Sequence, residues 1–117
     1  MAYTALFQGL PVRFAGPVKG SVSCTLMLDD VTRILEMLGV DDATLSTLTT
    51  KANAGTVGFG LLTHWLEDLG QTQVSMFTHW LLRHMPAAQV AHGLPLLGYL
   101  QTTGAAAPRQ VKRRAAA

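Results

Sequence analysis

The chain has 117 residues, of which 49% are hydrophobic and 14% charged, and this composition is typical of one globular domain rather than of a disordered segment. No apolar stretch approaches the roughly 18 residues that cross a bilayer, and the first residues lack the basic and apolar blocks of a secretory signal. Cys24 is the only cysteine, which excludes an internal disulfide and a cysteine-rich zinc site and is typical of a reducing compartment. We therefore expect a cytoplasmic protein that makes no membrane contact.

The net charge of +2 is unevenly distributed along the chain. Residues 1–104 carry five Lys/Arg against seven Asp/Glu, whereas the last nine residues carry four basic side chains and no acidic one. We expect residues 1–104 to form a single domain and residues 105–117 to be a flexible basic tail. Five basic residues are the candidate contacts to nucleic acid or to an acidic partner: Lys51, Arg109, Lys112, Arg113 and Arg114.

Residues 3–28 carry the signals of β-strands. The segments "TALFQG", "PVRFAG" and "SVSCTLML" are rich in β-branched and aromatic residues, and Gly and Pro clusters separate them. This pattern predicts an antiparallel hairpin or a three-stranded sheet.

Two helices are predicted next. Asp29 or Asp30 is expected to cap the first, in which Val31, Ile34, Leu35 and Leu38 recur at helical spacing. Gly39 is expected to end it in a left-handed conformation, with Val40 folding back as the apolar partner. The second is expected to start at Asp41 or Asp42 and to run through "ATLSTLTTKAN". Its predicted buried positions are Ala43 or Thr44, Leu45, Leu48 and Ala52.

The segment "TVGF" suggests another short strand, and two further helices are predicted over Gly60–Leu69 and Gln73–Met85, broken at Gly70. Pro86 is expected to stop the last helix or to open a short new one. Strands followed by helices indicate an α+β fold: a small antiparallel sheet from the N-terminal third, packed against four to five short helices.

The segment "LPLLGYLQTTG" after Gly93 is apolar and interrupted by Pro95 and Gly98. We expect it to lie along the domain without a long regular element. Its apolar part, "LPLLGYL", either packs on its own domain or forms the seam between two copies, and of these two we favour a homodimer.

The phrase Thr-His-Trp-Leu occurs at Thr63–Leu66 and again at Thr78–Leu81. Helical phasing places both tryptophans inward and both histidines outward. His79 and His84 are five residues apart, so they do not share one helix face as a metal-binding i, i+4 pair would. We expect no metal and no cofactor. The predicted core comprises Phe7, Val12, Val31, Leu35, Leu45, Trp65, Phe77, Trp80 and Leu81.

The sequence offers little for catalysis. Cys24 lies in an apolar strand pattern, where a thiol is usually inert packing. The carboxylates come as adjacent pairs, Asp29–Asp30, Asp41–Asp42 and Glu67–Asp68, and capping and the helix dipole account for the first two. There is no glycine-rich phosphate loop and no nucleophile elbow. We expect a protein that is not an enzyme.

The segment "ILEMLGVDDATLSTL" fits a helix-turn-helix, with two apolar helices joined by a Gly-Val turn. Any α-hairpin with a glycine turn gives the same pattern. A recognition helix normally offers Arg, Lys, Gln or Asn to base edges, whereas this one opens with two aspartates. The candidate surface consists of Thr44, Ser46, Thr47 and Thr50.

Four phrases in order resemble the BRO family N-terminal domain, which is found in phage antirepressors and in large DNA virus proteins. "LFQGLPVRF" is similar to the opening phrase F-x-G-x-x-V-R, and "DDVTRIL" to the D-V-x-x-x-L helix. "GLLTHWL" and "FTHWLLRHMPAAQVAHG" are similar to a helix led by G-L and a helix of form F-x-x-W, ending near a Pro and a Gly. An aromatic pair that usually precedes the second phrase is replaced by Thr25-Leu26, and we expect no second domain of the kind that most phage antirepressors carry.

The resemblance implies a phage or prophage regulator that works by binding in the cytoplasm of a bacterial host cell. Its partner is expected to be a repressor or another protein, with DNA as an additional partner mainly through the basic tail. Three alternatives remain open: a sequence-specific or nonspecific DNA-binding transcription regulator, an inhibitor of a host enzyme or defence complex, and a virion component.

Overall fold

A computed structural model describes residues 3–18 and 20–96, which form one antiparallel sheet and four helices. The strands are β1 (Tyr3–Phe7), β2 (Leu10–Ala15), β3 (Thr25–Met27) and β4 (Thr56–Gly58), in that order across the sheet. The helices are α1 (Leu28–Met37), α2 (Asp42–Thr49), α3 (Phe59–Leu69) and α4 (Thr72–Ala91). The α+β class is confirmed, and the predicted strand at "TVGF" is present as the fourth strand, β4.

A two-residue turn at Gln8 and Gly9 joins β1 to β2. Both residues have positive φ, 50° and 86°, which is the type I′ geometry that matches the twist of a hairpin. The turn sets Phe7 opposite Leu10 and Tyr3 opposite Phe14. In this register Phe7, Val12 and Phe14 share the face that is buried.

The core lies between that sheet face and the helices. Phe7 packs edge-on against Phe77 and Trp80, with ring centroids 5.1 and 5.5 Å away, and Phe14 lies 6.2 Å from Trp80. All nine positions expected in the core are buried. The helix α4, which supplies Phe77 and Trp80, therefore covers the sheet face at β1 and β2.

The start of α1 differs from the expectation that an aspartate caps it. The helix begins at Leu28 and its N-cap is Met27, which makes no side-chain cap bond. Asp30 lies inside the helix and is buried, because its carboxylate binds Arg13 of β2. The end of α1 is as predicted: Gly39 has φ 92°, and the N–H of Val40 donates to the carbonyl of Leu35.

Asp41 caps α2, since its carboxylate accepts the N–H of Thr44 at 2.8 Å. The helix ends at Thr49, earlier than predicted. Of the two alternatives for its first buried position, Ala43 is exposed and Thr44 is half-buried, and Ala52 is also only half-buried. Gly70, with φ 63°, separates α3 from α4 as expected.

Pro86 neither stops α4 nor opens a new helix, so that prediction is wrong. The helix continues to Ala91, although proline cannot donate the N–H that would bond to the carbonyl of Leu82. The continuation is anchored by burial on both sides of Pro86, at Met85 and at Ala88.

Gln89 is the polar anchor of this last turn and is fully buried. Its side-chain oxygen accepts the backbone N–H of Cys24 at 2.8 Å, and its amide nitrogen donates to the carbonyls of Val22 and Pro95 at 2.9 and 2.7 Å. One side chain thus joins α4, the entry to β3 and the segment that follows the helix.

Leu94 packs against the core, and the rest of the predicted dimer segment, from residue 97 onward, lies outside the described residues. The basic tail lies outside them as well. No helix within the described part is long and apolar enough to cross a membrane.

Candidate functional site

The predicted helix-turn-helix surface is the outer face of α2. Leu45 and Leu48 turn inward, while Ser46, Thr47 and Thr50 are exposed and Thr44 is half-buried. A hydrogen bond links α3 to this helix: the indole N–H of Trp65 donates to the hydroxyl of Thr47 at 3.1 Å. Thr44, Ser46 and Thr47 therefore lie on α2, and Thr50 follows them as its C-cap residue.

The hydroxyl groups of this face are already engaged with their own helix. The hydroxyls of Ser46, Thr47 and Thr50 donate to the carbonyls three residues earlier, at 2.8, 2.7 and 2.7 Å. A donor that is satisfied locally is less available to a base edge or a phosphate. What the face presents to a partner is mainly methyl groups and hydroxyl lone pairs.

The electrostatics of α2 favour a cationic partner. Asp41 and Asp42 open the helix and are exposed, and the hydrogen bonds from Thr44 hold the pKa of the Asp41 carboxyl below its ordinary value. Lys51, the one candidate phosphate contact within the described residues, follows the helix and is exposed. The other four candidates, Arg109, Lys112, Arg113 and Arg114, lie outside the described residues.

The charge balance of the described residues is acidic. They carry four Lys/Arg against seven Asp/Glu, a net of −3. Two of the four cations, Arg13 and Arg33, face the same carboxylate, that of Asp30. Phosphate would therefore meet little uncompensated positive charge on this part of the chain.

Asp30 is the charged residue whose role the sequence did not reveal. Its two oxygens accept the Nε and a terminal nitrogen of Arg13 at 2.8 and 3.1 Å, and one of them also accepts the backbone N–H of Arg13 at 2.9 Å. Burial raises the pKa of this carboxyl, but the hydrogen bonds from Arg13 outweigh it, so the pKa lies below its ordinary value. The pair joins β2 to α1 and is a structural contact.

The histidines are spread over the fold. His64 and His79 are exposed, while Trp65 and Trp80 beside them are buried, as the phasing predicted. His84 is half-buried: its Nδ1 lies 3.0 Å from the hydroxyl of Tyr3. In residues 3–18 and 20–96 no group of three or more His, Cys, Asp or Glu side chains is placed to hold a metal ion.

Cys24 lies just before β3 and is completely buried. Burial raises the pKa of its thiol, which works against the thiolate form that a nucleophile needs. Its backbone N–H is taken by Gln89. This environment suits a packing role.

A groove that the sequence did not indicate lies between the first hairpin and α4. It encloses about 420 Å³ and is lined by Leu6, Phe7, Gln8, Met76, His79, Trp80 and Arg83. A second depression of about 290 Å³ lies between α3 and α4, on the other side of His79. The hairpin supplies Leu6 to this groove and α4 supplies Met76. The groove cannot be predicted from the pattern of either element alone, because it forms only where the two pack together.

No protein-family model matches the chain, and neither a curated protein nor a solved structure does. The likeness to the BRO family N-terminal domain thus rests on the order of its four phrases.

Proposed function

We propose that this protein is a non-catalytic regulator, of the phage or prophage antirepressor kind, that binds a repressor or another protein. The observation that supports this proposal is the outer face of α2, which starts with Asp41 and Asp42 and carries hydroxyls already bonded to the helix. Such a face repels phosphate and is complementary to a basic protein surface. The DNA-binding surface of a repressor is basic by necessity.

Regulation through this face would act by binding alone and would require no catalytic residue. An acidic helix that occupies the basic surface of a repressor competes with DNA for it, and the repressor is released when the competition succeeds. Charge attraction of this kind acts mainly on the rate of encounter and is weakened by salt.

A binding experiment separates a protein partner from DNA. Binding of random duplex DNA is measured by fluorescence anisotropy over a range of salt, for the full chain and for a variant without residues 105–117. We expect weak, salt-steep binding that disappears with the tail, because four of the nine Lys/Arg lie in the tail and no Asp or Glu accompanies them there. Tight, sequence-selective binding by the truncated variant would contradict the proposal and favour a DNA-binding regulator.

The partner is sought by affinity capture from the host, followed by reconstitution with purified proteins. The double variant Asp41→Asn/Asp42→Asn removes two charges from α2 while asparagine retains the cap, and Glu67→Gln/Asp68→Asn removes two from α3 as the matched control. We expect the first to weaken repressor binding by about fivefold to tenfold and the second to leave it unchanged. Equal effects would exclude α2 as the binding face, and capture of a nuclease or polymerase would favour the host-inhibitor alternative.

A further inference from the structure

The strand β1 forms one edge of the sheet, and no described strand lies beyond it. The two-residue turn makes Phe7 and Leu10 a hydrogen-bonded pair, and such pairs alternate along an antiparallel ladder. Leu6, which is opposite Pro11, and Thr4, opposite Arg13, therefore direct their backbone N–H and C=O groups away from β2. These groups are available to a further strand.

Apolar surface accompanies this open edge. Leu6 is 63% exposed and Met76 of α4 is 50% exposed, and both line the groove between the hairpin and α4. The side-chain amide nitrogen of Gln8 lies 4.0 Å from the sulfur of Met76, so the hairpin turn borders the groove next to the methionine. The buried rings of Phe7 and Trp80 form the floor. An apolar side chain of an incoming strand would be received there.

The groove also carries unbalanced positive charge. Arg83 lines it and is exposed, and within the described residues it forms no ion pair. This differs from Arg13 and Arg33, which share the carboxylate of Asp30. No Asp or Glu is among the described residues that line the groove.

We propose that the edge of β1 and the adjoining groove bind an extended acidic segment of a protein partner by strand addition. The backbone of the segment pairs with Thr4 and Leu6, an apolar side chain enters the groove beside Met76 and above Phe7 and Trp80, and a carboxylate pairs with Arg83. A second copy of this chain is a poorer occupant, because a symmetric contact would bring the same unpaired cation to the edge twice. This surface shares no residue with the face of α2 and goes beyond the proposed function.

The proposal is tested with the full chain, labelled with ¹⁵N, and two blocked nine-residue peptides. Both alternate valine and threonine in the centre, and they differ only in carrying glutamate or lysine at both ends. We expect the glutamate peptide to shift the amide signals of residues 3–8 and 76–83, to slow hydrogen exchange at Thr4 and Leu6, and to bind about fivefold more tightly than the lysine peptide.

Two variants assign the effect to the two parts of the surface. Arg83→Glu is expected to reverse the preference between the peptides, whereas Arg33→Gln removes a positive charge from α1, outside the groove, and should preserve it. Leu6→Pro removes an outward N–H without removing a bond of the β1–β2 ladder, and it should abolish binding of both peptides. If Leu6→Pro fails to fold, the charge reversal at position 83 still decides the question.

Equal binding of the two peptides, or shifts confined to other surfaces, would overturn the proposal. A concentration-dependent protection of Thr4 and Leu6 without peptide would show that a second copy occupies the edge, and shifts of the groove by random duplex DNA would assign it to phosphate. If a captured repressor binds Leu6→Pro and Arg83→Glu as well as it binds the unaltered chain, the antirepressor function stands and this surface is not its contact.

Discussion

The carboxylate of Asp30 binds both the guanidinium and the backbone N–H of Arg13, 17 residues earlier in the chain. The contact links the middle of β2 to the first turn of α1. The two residues also belong to the two phrases, "LFQGLPVRF" and "DDVTRIL", on which the resemblance to the BRO family begins. The polar positions of the two phrases therefore meet in space.

Removal of the Asp30 carboxylate should destabilise the protein. Asp30→Ala leaves the backbone N–H of Arg13 without its acceptor, and we expect the free energy of unfolding to fall by about 1–3 kcal/mol. Asp68→Ala breaks an exposed contact to His64, in which both side chains are at least 70% exposed, and serves as the control without measurable change. Urea unfolding measures both, and equal midpoints for the two variants would refute a structural role for Asp30.

The Asp30 pair should also make stability depend on pH at the acid end. Because the folded protein holds the pKa of this carboxyl below its ordinary value of 3.8, the unfolded chain binds the proton more readily. The stabilisation is complete above pH 3.8 and is lost as the pH falls toward the lower pKa of the folded state. The difference in urea midpoint between the unaltered chain and Asp30→Asn should therefore become smaller as the pH is lowered from 7 to 3. A constant difference over that range would contradict this prediction.

His84 should titrate below its ordinary pKa of 6.5, because burial disfavours the imidazolium and the charge of Arg83 adds to that effect. Below pH 6.5 the unfolded chain then takes up a proton more readily than the folded one, so this group lowers stability as the pH falls and has no effect above 6.5. An NMR titration of the imidazole Cε1 proton gives the midpoint. Arg83→Gln should raise it, and a midpoint of 6.5 or higher in the unaltered chain would contradict the assignment.

Gln89→Leu should be strongly destabilising although leucine has a similar volume. The change removes three hydrogen bonds and leaves the buried N–H of Cys24 without an acceptor, and we expect a loss of about 2–4 kcal/mol. Gln73→Leu lies on the exposed side of the same helix and should change stability by less than about 0.5 kcal/mol. Thermal and urea unfolding compare the two. Similar small changes in both would show that the buried amide is dispensable.

The elements that the sequence predicted well are those whose signals are local. The left-handed Gly39 with its partner Val40 and the break at Gly70 each depend on a few adjacent residues. The inward phasing of Trp65 and Trp80 follows from helix geometry alone.

The elements that the sequence predicted poorly depend on distant contacts. Asp30 has the position and chemistry of a helix cap. Its carboxylate instead binds Arg13, because β2 packs beside the start of α1. The open edge of β1 is likewise a property of strand order, which no local pattern specifies. Of the candidate contacts to nucleic acid, only Lys51 lies within the described residues.

The proline within α4 has a consequence for how the protein opens. The carbonyl of Leu82 cannot receive its helical hydrogen bond from position 86, so cooperativity along α4 is weakest there. Fluctuations should unravel residues 87–91 as a unit while the first part of the helix remains on the sheet. In that partly open state α4 ends near Met85, the length that its sequence favours when no tertiary contact acts on it. Its last turn and a half is thus held by the amide of Gln89 rather than by helix propagation.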